Sequence, residues 1–369
     1  MCPVYRNYLA LLPLGMLPLG QIAAAAEAVP SVIKPDERVV FFPTAARLND
    51  DRQTWIVPIH GWIFEPEAND ALRTAFVREL RDKLDLPEDH SSTAIVVERI
   101  RAFLVDNERG KRVGIRIASQ RHVLPPSASD GHFTAVVALP AAQVAAQLMD
   151  GRLEFRAITI PGDLRAFVGL AHCLPPTGTS VISDIDDTIK ITDVRDKREL
   201  IRNTFLREFR AVDDMAAAYR RWADAGAQFH YVSSSPWQLY ESLARFRQAA
   251  GFPDGTFHLK RFRMKDSSVL GLFENPADYK LAVIEPLLQG FPARRFILIG
   301  DSGEQDPEVY GVLARRYPDQ VVQVYIRDVT DEPADAPRYQ AAFRDLPPDK
   351  WQLFHDPASL PETLEASTR

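Results

Sequence analysis

Two kinds of apolar patterning divide this chain. Over roughly its first half, apolar and polar residues alternate in short runs. Val113, Ile115 and Ile117, for instance, are interleaved with Gly114 and Arg116. A period of two is that of a strand buried on one face. The same reading predicts strands at 38–42, 54–62, 132–139 and 152–160. It also predicts a hairpin in which 99–105 and 111–118 flank Asp106-Asn107-Glu108-Arg109-Gly110. Ala71, Ala75, Phe76, Leu80 and Leu84 fall at helical spacing and predict one inserted helix. Together these elements predict an all-β sandwich-like domain over 27–172.

After Pro175-Pro176-Thr177-Gly178, a hinge signal, the apolar residues come instead as unbroken runs. Val181-Ile182 leads into Ser183-Asp184, Phe229–Val232 into Ser233-Ser234-Ser235-Pro236, and Phe296–Ile299 into Gly300-Asp301. Such runs fit strands buried on both faces of a parallel sheet. Leu281, Ile284, Leu287 and Leu288 mark a helix that Lys280 opens. This second domain is placed at 173–345. The Asp- and Pro-rich stretch 346–369 is read as a C-terminal tail lying back on it, after a short helix around 338–343.

Composition narrows the class. At 369 residues two domains are expected. The net charge of −6 argues against a general nucleic-acid binder. Arg6, the apolar run 8–19 and Ala24-Ala25-Ala26 before Glu27 resemble an export signal over 1–26, although Pro13 and Pro18 interrupt it. The expectation is a periplasmic or secreted protein. Cleavage would remove Cys2 and leave Cys173 alone, so no intrachain disulfide is expected.

The chemistry lies where the apolar runs end. Asp184, Asp186 and Thr188 follow the first run, and a carboxylate so placed can attack the phosphorus of a phosphate ester. A divalent cation, for which Mg²⁺ is suited, offsets the charge of that attack. A second acid two residues on can protonate the leaving group. The serines at 233–235 end the second run ahead of Pro236, a junction suited to anions. Lys280 supplies a cation, and Asp301 and Asp306 supply further carboxylates. In an open parallel sheet these strand ends face one crevice.

These motifs, in this order, resemble the haloacid dehalogenase superfamily of aspartate-nucleophile phosphatases. Val181–Lys190, Tyr231–Trp237 and Phe296–Asp306 further resemble the catalytic domain of the actin-patch-protein type phosphatidate phosphatases. The resemblance implies an α/β fold: a parallel Rossmann-like sheet of the haloacid dehalogenase type with a small cap. It implies Asp184 as nucleophile and Mg²⁺ ligand, and Asp186 as general acid/base giving its backbone carbonyl to the metal. Ser233 and Lys280 would hold the phosphate, Asp301 would complete the metal site, Asp306 would assist it, and Thr188 would support the Asp186 loop. All three serines are candidates for the phosphate; Ser233 is preferred as the first past the strand.

In that superfamily, insertions choose the substrate. Both are short here, about 189–210 and 258–278, so the site should be open. Both are basic, with Arg195, Lys197, Arg198, Arg202, Arg207 and Arg210 in the first and Lys260, Arg261, Arg263 and Lys265 in the second. Ile201, Phe205 and Phe209 recur every four residues and suggest an apolar stripe beside those cations. The expected substrate is phosphatidate or a related lipid phosphate, with peripheral membrane contact. A soluble phosphate ester is the alternative substrate, and a non-catalytic binding protein on a phosphatase fold the alternative class.

Overall fold

The structure, a computed structural model, describes residues 29–66, 78, 94–262 and 277–364. The expected signal at 1–26 lies outside them, as do the inserted helix at 71–84 (apart from residue 78) and most of the second insertion. Among the described residues, no helix is long and apolar enough to cross a membrane.

The first half forms strands β1 (Arg38–Phe42), β2 (Thr44–Leu48), β3 (Thr54–Pro66), β4 (Val105–Asn107), β5 (Gly114–Ile117), β6 (Gln120–Val123), β7 (His132–Pro140), β8 (Arg152–Ala157) and β9 (Val168–Leu174). Hydrogen bonds join all nine into one sheet, ordered β1-β3-β2-β9-β8-β5-β6, with β4 and β7 also on the long β3. The sandwich expectation is corrected to this extent: there is one ladder, and β2 and β9 make it mixed by pairing in parallel. It nevertheless curls over its own core. The rings of Phe41 and Phe155 stand 4.9 Å apart although β1 and β8 are not ladder neighbours. The alternation of Ile115 and Ile117 with Arg116 is realised, the isoleucines buried and the arginine exposed.

The predicted hairpin around 106–110 does not form. Ala94–Arg101 is a helix, and β4 pairs with β3 rather than β5. Val96, Ile100, Phe103 and Leu104 are all buried in one cluster. A helix puts those spacings on one face, whereas a strand would divide them between two.

The second half forms β10 (Gly178–Asp184), β11 (Gln228–Pro236), β12 (Gly255–Lys260), β13 (Arg294–Asp301), β14 (Val321–Arg327) and β15 (Trp351–Phe354). All pair in parallel, in the order β12-β11-β10-β13-β14-β15. The sixth strand comes from the stretch read as a tail. One face packs with helices Met215–Asp224 and Tyr240–Ala249, the other with Ala277–Gly290 and Asp306–Arg316. The order reverses between β10 and β13, so the crevice beyond the carboxyl ends opens there.

The two sheets share a core. Phe42 lies 4.1 Å from the ring of Trp237, which directly follows β11. Buried Arg99 donates to the carbonyls of Thr204 and Arg207, both at 2.7 Å, and its guanidinium stands over Phe209. The first insertion is thus clamped between the sheets, and this overturns the idea of an exposed apolar stripe. Ile201 and Phe205 are fully buried and Phe209 packs on Phe246. Of its cations, Arg202 and Arg207 pair with Glu199.

Candidate active site

Asp184 ends β10 and is buried. Its Oδ1 accepts from Lys280 Nζ at 2.8 Å and its Oδ2 from the Thr188 hydroxyl at 3.1 Å. Thr188 thereby ties the segment that carries Asp186 back to Asp184. That loop is held by Asp187, left-handed at φ 54°. Its carboxylate accepts the backbone N–H groups of Thr192, Asp193 and Val194 at 2.7–2.9 Å. Asp tolerates this conformation because its short side chain can hydrogen-bond locally.

Asp301 ends β13, one residue after Gly300. A β-carbon on Gly300 would lie 2.1 Å from Asp306 Oδ2, so only glycine lets Asp306 come this close to the strand. Asp306 Oδ2 accepts the Asp301 N–H at 3.1 Å, and its Oδ1 is bonded to Lys280 Nζ. Asp306 thus faces the crevice rather than capping the helix it begins; the cap position is Gln305. Asp184, Asp301 and Asp306 each offer an oxygen within 4.8 Å of the others, all buried. Asp186 does not join them by its side chain.

The electrostatics of this cluster are lopsided. Burial pushes the carboxyls of Asp184 and Asp301 well above the usual range, and neighbouring carboxylates push further. Lys280 opposes the shift and, despite its burial, is held charged by Asp184, Asp306 and Glu304. Glu304 Oε2 lies 3.1 Å from Lys280 Nζ, a partner the sequence reading did not single out. Asp301 Oδ1 accepts the N–H groups of Gly303 and Glu304, but its Oδ2 is buried without a hydrogen-bond partner. A hard divalent cation suits such a set: hard oxygen ligands, excess negative charge and one orphaned oxygen.

Asp186 faces the other way. Its Oδ2 accepts from Ser233 at 2.8 Å and from Ser235 at 3.0 Å; its Oδ1 accepts from Thr192 at 2.9 Å and pairs with Lys190 at 2.8 Å. Burial alone would raise this carboxyl. The charge of Lys190 and the hydrogen bonds of Lys190, Ser233 and Thr192 outweigh burial and bring it down to about 2. Lys190 and Thr192 were missed in the sequence. The signal for Lys190 was its place four residues after Asp186, within the quoted motif. Two of the three serines thus meet Asp186, and Ser233 Oγ also receives the Ser235 N–H.

A buried, lysine-braced carboxylate cluster thus lies at the switch point of a parallel sheet. The sequence comparisons make this specific. Residues 179–328 match the family described as phosphatidate phosphatase APP1, catalytic domain, and this span contains every site residue above. Phosphatidate phosphatase APP1 of Saccharomyces cerevisiae is 36% identical over 173 residues, 46% of this chain and 29% of the yeast protein. An uncharacterized protein of Schizosaccharomyces pombe, C29B5.04c, is 28% identical over 204 residues, 54% of this chain and 33% of its own. The chain thus spans about a third of either relative. A solved exo-chitosanase of Amycolatopsis orientalis aligns at TM-score 0.23 and 10% identity over 80% of this chain and 33% of its own, too weakly to bear on fold or function. Residues 179–328 are thus similar in sequence to a phosphatidate phosphatase catalytic domain.

Proposed function

We propose that the protein is a Mg²⁺-dependent phosphatase of the haloacid dehalogenase type, with a lipid phosphate such as phosphatidate as substrate. One observation carries the reading. Asp184, Asp301 and Asp306 converge beside Lys280, with Asp301 Oδ2 unpartnered, at the strand ends next to the Asp186–Ser233 pair.

Asp184, Asp301 and Asp306 would hold the cation, with the backbone carbonyl of Asp186. When bound, Mg²⁺ supplies charge neutralisation for the phosphoryl group in flight. Asp184 attacks phosphorus and forms an aspartyl-phosphate as the bond to the leaving alkoxide breaks. Lys280 lies within hydrogen-bond distance of Asp184 and balances the charge gathered there. Asp186, a carboxylate at rest beside Lys190, takes the proton of the phosphate monoanion and passes it to the leaving oxygen as the bond to phosphorus breaks. It then takes a proton from the water that hydrolyses the aspartyl-phosphate. Ser233, fixed between Asp186 and the Ser235 N–H, lies where a phosphate oxygen would be received.

The short first insertion supports an accessible site, and the relative's name supports the lipid. A soluble ester is the alternative. Rates of phosphate release from phosphatidate micelles and from a soluble monoester, each with and without Mg²⁺, test the reading. It predicts Mg²⁺-dependent release that favours the lipid. Export remains a proposal resting on residues 1–26 alone.

A further inference from the structure

The outer face of the nine-stranded sheet carries an arrangement that folding alone disfavours. Arg121 of β6 is directly opposite Arg116 of β5, and Arg116 is opposite Arg156 of β8. Three arginines thus stand side by side across three strands, all exposed. Side chains so paired are about 5 Å apart at Cβ, and like charges there destabilise the sheet. Arg156 is bridged by Glu154 at 2.7 Å. Among the described residues, no carboxylate pairs with Arg116 or Arg121.

The row continues into apolar surface. Arg156 is opposite Val168 of β9, itself 40% exposed. The loop between β8 and β9 presents Ile160 and, at 98% exposure, Leu164. This loop is tied down. Arg165 donates to the carbonyls of Lys34, Pro35 and Glu37 and pairs with Asp163. Leu164 is therefore displayed by an anchored loop.

The row also faces a useful direction. β8 starts at Arg152, which pairs with Asp254 at the entry of β12, the end of the six-stranded sheet away from Asp184. It runs toward Phe155, whose ring meets Phe41, next to the Phe42 that touches Trp237 at the catalytic end. Arg156 and the Leu164 loop accordingly lie toward the end at which the crevice opens.

We propose that Arg116, Arg121 and Arg156, with Ile160, Leu164 and Val168, dock the protein on an anionic phospholipid bilayer. Arg116 and Arg121, together with Arg156 exchanging Glu154 for lipid, would meet headgroup phosphates while the aliphatic side chains enter the interface, the combination that holds peripheral proteins. This goes beyond the reaction proposed above, because its residues lie on the other sheet and binding needs no turnover.

The test is co-sedimentation of the full chain with phosphatidylcholine vesicles containing phosphatidylserine, against phosphatidylcholine alone. The wild type should favour the anionic vesicles, and less so as salt rises. Each basic side chain near an anionic leaflet is worth about fivefold, so R116Q/R121Q/R156Q should weaken binding on the order of a hundredfold. That variant should unfold at the same or a higher temperature and hydrolyse a soluble ester as the wild type does. Leu164→Ser should weaken binding as well. The proposal is overturned if the triple variant binds anionic vesicles like the wild type, or if the wild type does not distinguish the two vesicles. It is equally overturned if an oligonucleotide binds the same arginines as tightly as vesicles do. Loss of phosphatase activity with vesicle binding intact would count only against the catalytic reading.

Discussion

The two sheets handle charge in opposite ways. At the carboxyl ends of the six-stranded sheet, Asp184, Asp186, Lys190, Lys280, Asp301 and Asp306 are all buried. Asp186 and Lys280 are fully engaged, while one oxygen of Asp301, Oδ2, is not. On the nine-stranded sheet, Arg116 and Arg121 are exposed beside like charge. Burying a charge is costly unless it is paired, so the first arrangement persists only where precise partners surround each group. Exposed like charges cost far less and leave their donors free. The first fixes reacting groups in place; the second offers a surface.

This contrast can be broken most severely at the carboxylate cluster of Asp184, Asp301 and Asp306. Asp301→Asn, or removal of divalent cations by chelation, should lower Mg²⁺-supported phosphate release by about a thousandfold or more. Stability without metal should hold or rise in the variant, since burial and neighbouring carboxylates raise this carboxyl. Thermal unfolding without metal checks this, and a large loss of stability would mean that the cluster is structural.

A smaller effect is expected at the lysine. Lys280→Met should cost roughly a hundred- to a thousandfold in kcat, as removal of one electrostatic stabiliser does. It should also leave Asp184 and Asp306 facing each other without a cation. Steady-state kinetics that show only a raised KM would contradict this placement.

Smaller again is the serine pair. Ser233→Ala removes one of the bonds that keep Asp186 ionised and should slow turnover about tenfold. Ser235→Ala, which loses a single bond to the same oxygen, should cost less. Equal losses would show that the two serines are interchangeable.

The smallest effect lies at the buried histidines away from both surfaces. Burial holds His132 at about 3 and His230 well below its usual range. Both are neutral in the folded protein while the unfolded chain takes up protons below about pH 6.5. Stability should therefore be full above pH 6.5. As pH falls toward 3 it should drop by at most about 1.4 kcal/mol per pH unit per histidine. Urea unfolding between pH 7 and pH 5 checks the sign.

Much of the site was legible in the sequence because its residues stand at the ends of apolar runs, where a parallel sheet must bring them together. Asp184, Ser233 and Asp301 are of this kind. Lys190, Thr192 and Glu304 were not, because their roles come from a loop folding back, and no periodicity records that. Asp186 was read from its place two residues after Asp184, yet its contacts with the serines and the braces that keep it ionised were invisible. The nine-stranded sheet was half legible. Alternation revealed β5 and β7, but partner choice did not follow from it, since register depends on contacts far away in sequence. The helix at 94–101 was lost for a related reason. Its apolar positions bury against the other half of the chain, so their face has meaning only once both halves are present. The stripe of Ile201, Phe205 and Phe209 shows the same thing: helical spacing told that a face exists and not what covers it.

The central claim is that Asp184 is the nucleophile. Rapid acid quenching during turnover of a phosphate-labelled substrate, with Asp184→Asn as control, tests it most directly. The account predicts label bound to the wild-type protein and sensitive to hydroxylamine. In the variant it predicts no label and phosphate release lowered by about ten-thousandfold or more. Labelling of Asp184→Asn, or turnover close to that of the wild type, would contradict it.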